Sequence, residues 1–163
     1  MSWDKIQEIA SPTGATLALR ALKPGRRKPR AVIHINHGMA EHAARYDRFA
    51  AFLTDHGYAA YAHDHRGHGA TTAPDAPNGS FGGRDGFDKV IADVQCINGH
   101  IRGIHKGTPV VIFGHSMGAI ITLNHVLRHH DSVDAAAIWN ASFTTGALFS
   151  IGRLLLAIER MFK

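Results

Sequence analysis

The sequence has one cysteine, Cys96, and no apolar run long enough to cross a bilayer. A single thiol cannot close an internal disulfide, so packing and polar bonds must hold the fold, as in a reducing cytosol. A membrane-spanning helix needs about 20 consecutive apolar residues, and the longest candidate, 147–158, is interrupted by Gly152 and Arg153. The start, Met1-Ser2-Trp3-Asp4-Lys5, has no basic flank leading into an apolar stretch, so no secretory leader is expected. Charged residues are scarce at 19%, against 45% hydrophobic, which places the chain far from disordered compositions. Acidic residues are outnumbered by basic ones, 13 to 18. Much of that excess lies in one run, Lys23-Pro24-Gly25-Arg26-Arg27-Lys28-Pro29-Arg30. No aromatic residues interleave it as a stacking platform would need, so it reads as a solvated hairpin loop and no nucleic-acid partner is expected.

What is present is a repeated alternation of strand and helix patterns. Lys5 to Ile9 and Thr16 to Leu22 read as short strands about a Ser11-Pro12-Thr13-Gly14 turn. Ala31 to Asn36 is apolar and β-branched enough for a strand buried on both faces. Tyr46, Phe49, Ala50 and Leu53 then recur at helical spacing, and Gly57 suits a left-handed C-terminal cap. Tyr58 to Ala62 is the fourth strand. The Gly- and Pro-rich stretch from Arg66 to Gly83 is long for a structureless loop and is expected to line a site or move. Phe87, Val90, Ile91, Val94, Ile97 and Ile101 mark a second helix. Pro109 to Phe113 is a fifth strand, Met117 to about His130 a third helix, and Ala135 to Trp139 a sixth strand. Alternation of this kind predicts a mostly parallel α/β sheet of about six strands with helices on both faces.

Gly114-His115-Ser116-Met117-Gly118 falls between an apolar strand and a helix. That context is what a nucleophile elbow requires. The sharp turn strains the serine, and its neighbours two residues away must lack clashing side chains, which glycines 114 and 118 provide. Ser116 would project above the sheet at a helix N-terminus, where the Met117 N–H can stabilise an oxyanion. A second donor should come from the loop after the third strand, His37-Gly38-Met39, and the Met39 N–H is the candidate. Gly38, Gly114, His115 and Gly118 support the elbow and the oxyanion loop.

His63-Asp64-His65-Arg66-Gly67-His68-Gly69 has the look of a metal site. A serine nucleophile with an oxyanion hole needs no metal, however, and a polar turn packed beneath the serine explains the segment. His63, His65 and His68 are therefore expected to be structural, with no metal and no cofactor.

Three motifs in order carry a resemblance spanning residues 5 to 142. His37-Gly38-Met39-Ala40-Glu41-His42 with Arg45-Tyr46 resembles the His-Gly-x-Gly-Glu-His…Arg-Tyr signature of monoacylglycerol lipases and bacterial lysophospholipases, within the α/β-hydrolases. Tyr61 to Gly69 is similar to that family's turn after a strand, and residues 114–118 match its elbow. The resemblance implies serine hydrolysis of a monoacylglycerol- or lysophospholipid-like ester, with Ser116 as nucleophile and Met39 and Met117 as oxyanion donors. Ala40 departs from the family's glycine, and Ser142 from a proline common after the sixth strand.

The family continues through a helical cap, two more strands, a catalytic Asp and a catalytic His. After Ser116 this sequence offers only His125, His129, His130, Asp131, Asp134 and Glu159, none on a later loop. The expectation is an α/β-hydrolase core over 1–142 that lacks the C-terminal strands, and the start of a helical cap over 143–163. Leu148, Ile151, Leu155 and Ile158 form an apolar stripe there, through which the cap could touch a membrane surface. His37 is conceivable as a local base, whereas His115 should turn away from Ser116. The rival expectation is an inactive short hydrolase-like protein that binds lipid, or that self-associates or pairs with a missing C-terminal half through its open sheet edge.

Overall fold

The computed structural model describes residues 2–25 and 28–141. Ser142 and the expected cap, 143–163, lie outside the described residues. Six strands form one sheet: β1 (Gln7–Ala10), β2 (Thr16–Leu22), β3 (Val32–Asn36), β4 (Ala59–His63), β5 (Val110–His115) and β6 (Ala135–Trp139). Their order is β1-β2-β4-β3-β5-β6. The pairs β3–β4, β3–β5 and β5–β6 are parallel, and β1–β2 and β2–β4 are antiparallel. The basic stretch after β2 is therefore a crossover that passes β4 to reach β3. It is not a hairpin, because β2 spends its second edge on β4. It is also not merely solvated: Lys28 donates to the Gly107 carbonyl, and Arg30 stacks on the Tyr58 ring.

Among the described residues three α-helices cover the sheet, α1 (Asp47–Asp55), α2 (Gly86–Ile104) and α3 (Met117–Arg128). Alternate residues of each strand face opposite sides, which gives two separate apolar layers. Leu17, Leu19, Val32, Tyr61 and Val110 meet Ile97 and Ile101 of α2 on one side. Ile35, Ala60 and Ala62 meet Ala50 and Leu53 of α1 on the other. All five residues of β4 are buried, and its alanines leave room for helices on both faces. A 3₁₀ turn, Ala43–Tyr46, leads into α1, so the first helix starts later than its apolar spacing suggested. Gly57 has φ +83°, as its C-terminal cap position requires.

The long loop after β4 is anchored by buried charge. Arg66 is fully buried and pairs through Nε with Asp93 of α2 at 2.8 Å. Its other nitrogens reach Thr13 at 2.8 Å and Asp75 at 3.3 Å. Asp93 in turn accepts from the Ser11 and Thr13 hydroxyls. One ion pair thus joins the β1–β2 turn, the loop and α2. Asp64 accepts from the Ala43 and Ala70 N–H groups at 2.7 and 2.8 Å, and so ties the same loop to the turn that enters α1.

Removing one partner of a buried ion pair strands the other charge, at a cost of about 3–5 kcal/mol. Asp93→Ala should therefore lower the urea midpoint by a corresponding amount, and the double variant Asp93→Leu, Arg66→Met should recover a large part of it. An equal loss in both would show that the stranded Arg66 charge is not the source of the cost. A second expectation concerns acid. His34, His37, His63 and His65 are buried, and desolvation holds all four below the usual histidine range. The unfolded chain takes up protons near pH 6.5 while these folded rings do not, so stability falls as pH drops below that value. The slope approaches about 1.4 kcal/mol per pH unit for each ring. Urea titrations between pH 6.5 and 5 should show it, and His34→Asn should lower the slope by about one proton.

Candidate active site

The register pairs Asn36 with Gly114 and His115 with Trp139, so the C-terminal ends of β3, β5 and β6 share one edge. That edge is where open α/β sheets gather their sites. Ser116 stands there between β5 and α3 with φ +55° and ψ −118°. A serine in this region is strained by roughly 1–3 kcal/mol and persists only where its surroundings enforce it. They do so from three sides. The Ser116 N–H donates to the Trp139 carbonyl at 3.0 Å. A Cβ on Gly114 would strike the Gly118 carbonyl and the Thr122 hydroxyl. A Cβ on Gly118 would strike the carbonyls of Asn36 and His37. Both glycines of the elbow are thus required by close backbone approach, as the spacing implied.

Ser116 also begins α3, since its carbonyl accepts from Ala119 and Ile120. The Met117 N–H is then one of the first-turn donors that a helix cannot satisfy internally. Across from it, the end of β3 turns through Gly38, Met39 and Ala40. The Met39 side chain is 75% exposed, and among the described residues its N–H has no partner in the chain. Ala40 adopts φ +56°, a left-handed conformation. The family's glycine at this position would sit there without strain, so the departure costs backbone energy of about 1 kcal/mol rather than space.

Glu41 organises the loop, a role that did not emerge from the sequence. Its Oε1 accepts from the Gly38 N–H and from the Tyr46 hydroxyl, and His115 Nδ1 lies 3.4 Å away. Its Oε2 faces Arg45 Nε at 3.6 Å. Burial pushes the carboxyl upward, but the bonds from Tyr46, Gly38 and His115 outweigh it and hold Glu41 below the usual range. The one available signal was an acid three residues after a glycine, the spacing at which a side chain folds back onto a backbone N–H.

A cleft of about 550 Å³ opens beside the elbow. Phe49, Phe113 and Trp139 supply apolar walls, and Glu41, Arg45 and His115 a polar rim. A second cleft, about 400 Å³, lies between Met39–His42 and the loop residues His68, Gly69, Asn78 and Gly79. Glu41 borders both, and the long loop after β4 forms one wall of the second.

Neither nearby histidine is placed as a base for Ser116. His115 is directed at Glu41. His37 is fully buried, with Nε2 accepting from the His65 N–H at 3.0 Å and Nδ1 bonded to the Gly38 carbonyl at 2.8 Å. His34, His63, His65, His37 and His68 form a chain of rings whose neighbouring centroids are 5.3, 4.8, 4.3 and 5.4 Å apart. Among the described residues no group of three or more His, Cys, Asp or Glu is arranged to hold a metal ion.

Comparison with known proteins agrees with this geometry. A monoglyceride lipase homolog of monkeypox virus is 38% identical over 58% of the chain and 32% of its own length. The monoglyceride lipase of Rattus norvegicus is 30% identical over 74% of the chain and 38% of its own length. The crystal structure of a thermostable carboxyl esterase from Bacillus coagulans, in complex with glycerol, superimposes with a TM-score of 0.75 at 25% identity, over 99% of this chain and 51% of that one. The chain thus spans about a third of the length of these two relatives and half of the esterase. The family model described as serine aminopeptidase, S33, matches residues 27–162. The chain belongs to this hydrolase family, and its sheet is part of an α/β-hydrolase fold.

Proposed function

We propose that Ser116 is the nucleophile of a serine carboxylester hydrolase acting on monoacylglycerol- or lysophospholipid-like esters. The observation that carries this is the strained conformation of Ser116, φ +55°, at a strand-to-helix turn walled by two obligatory glycines. Strain maintained at such cost by its surroundings marks a residue held for chemistry. Support for the ester class comes from the similarity to the monoglyceride lipase of Rattus norvegicus and to a viral monoglyceride lipase homolog. Support for an amphiphilic substrate comes from the cleft, which joins aromatic walls to a rim of Glu41, Arg45 and His115. Such a rim suits the hydroxyl groups of a glycerol head, and the walls suit an acyl chain.

In this mechanism the Ser116 hydroxyl attacks the ester carbonyl carbon as its proton passes to a base outside the described residues. The N–H groups of Met39 and Met117 hold the negative oxygen of the tetrahedral intermediate. The intermediate then expels the alcohol, which takes the proton back from the base, and leaves an acyl-serine. Water activated by the same base releases the fatty acid. No cofactor enters this sequence of steps.

A fluorophosphonate tests the assignment, because it modifies only activated serines. The full-length protein should take up one label and hydrolyse a monoacylglycerol, and Ser116→Ala should abolish the label and lower kcat at least about 10³-fold. Labelling that survives Ser116→Ala, or a wild-type protein inert to the reagent, would rule out Ser116 as the nucleophile.

A further inference from the structure

We propose that His37 is a positioning residue that aims the Met39 N–H at the oxyanion. The inference rests on the oxyanion role given to Met39 above, and adds the means by which that donor is held.

A peptide group is planar and trans, so its C=O and N–H point in opposite directions. The carbonyl of Gly38 and the N–H of Met39 belong to one such plane. Pinning the carbonyl at one end aims the N–H at the other. The pin is His37, whose Nδ1 lies 2.8 Å from the Gly38 oxygen.

The protonation of that ring is settled by its second contact. His37 Nε2 lies 3.0 Å from the backbone N of His65, which can only donate. Nε2 must therefore offer a lone pair, and in the neutral ring the proton resides on Nδ1, where it donates to Gly38. Burial lowers the His37 pKa to about 4, which keeps the ring neutral at ordinary pH. The His65 and His68 rings, with centroids 4.3 and 5.4 Å away, prevent it from swinging out.

Such a pin matters because position 38 is a glycine, which does not hold its own orientation. A Cβ at position 38 would come within 2.8 Å of Glu41 Oε1 and 3.3 Å of His115 Nδ1. A side chain there would push against Glu41 and His115, the two side chains that border the loop, and glycine is the residue least able to hold a fixed orientation. Two side chains supply what its backbone lacks. Glu41 accepts from the Gly38 N–H and holds the plane before it, and His37 holds the plane after it. In line, the His65 N–H, the His37 ring and the Gly38–Met39 peptide form a chain of aligned donors in which each bond polarises the next.

Nuclear magnetic resonance of the full-length protein tests this without relying on activity. Two-bond ¹H–¹⁵N correlations should show His37 protonated at Nδ1 and bare at Nε2. The Met39 N–H should have an order parameter of about 0.85, typical of rigid backbone. His37→Asn keeps an amide donor near the Nδ1 position and should retain that rigidity. His37→Gln keeps only the distal acceptor for His65, and should drop the Met39 order parameter below about 0.6. In monoacylglycerol hydrolysis His37→Gln should lower kcat by about tenfold or more with KM little changed, and His37→Asn should restore part of it. A ring protonated at Nε2, or equal Met39 order parameters in all three proteins, would overturn the proposal. Absence of hydrolysis in the wild type would instead count against the esterase assignment, since the tautomer and order parameters decide the role of His37 by themselves.

Discussion

Everything near the candidate nucleophile depends on one close approach of backbone to backbone. The first turn of α3 lies against the end of β3 so tightly that Gly118 has no room for a methyl group beneath the carbonyls of Asn36 and His37. Gly114 meets the same turn from β5. The Asn36 amide also donates to Thr122 at 3.0 Å, which fastens strand to helix one turn further on. This contact sets where Ser116 stands, fixes the direction of the α3 N–H groups, and brings the loop after β3 alongside them. Loosening it by one carbon would displace the serine, the first turn of α3 and the loop after β3 together.

A polar layer lies beneath that contact, where a hydrophobic core might have been expected. Five histidine rings in succession, a buried arginine and two buried aspartates fill the space between the strand ends and the long loop. Apolar side chains would fill it more cheaply, but they could not hold backbone groups in chosen directions. Asp64 fixes two amides, Arg66 fixes three segments, and His37 fixes a carbonyl. Among the described residues, ring nitrogens of His34, His63 and His65 have no side-chain or backbone partner. Stability is exchanged here for orientation, as is common under functional sites.

The elbow was legible in the sequence because its determinants are local. A strand, a turn and a helix follow one another within a few residues, and both glycines sit at fixed offsets from Ser116. The element types along the chain were legible for the same reason. What could not be read were pairings that join distant residues. Nothing in the spacing tells that Arg66 will meet Asp93, or that Trp139 will share a cleft with Phe49. The first depends on α2 packing over the loop, and the second on the β5–β6 register. The basic segment after β2 was misread as a hairpin for a related reason. Consecutive strands pair by default, and the insertion of β4 between β2 and β3 leaves no local mark. Glu41 lay in plain view as part of a motif, but its grip on Gly38 is a matter of side-chain direction.

That strand order also governs the sequence of assembly. The hairpin of β1 and β2 precedes β3 and β4 in the chain, yet it joins the sheet only along β4. During synthesis it has no edge to join until Ala59–His63 has emerged. The central strands β3, β4 and β5 can associate through their own crossovers, with the hairpin added afterwards. The seat for the Ser116 turn, made of carbonyls at the end of β3, lies on a strand that the hairpin reaches only through β4. Arg66, which reaches both Thr13 and Asp93, is the fastening that ties this outlying hairpin to α2.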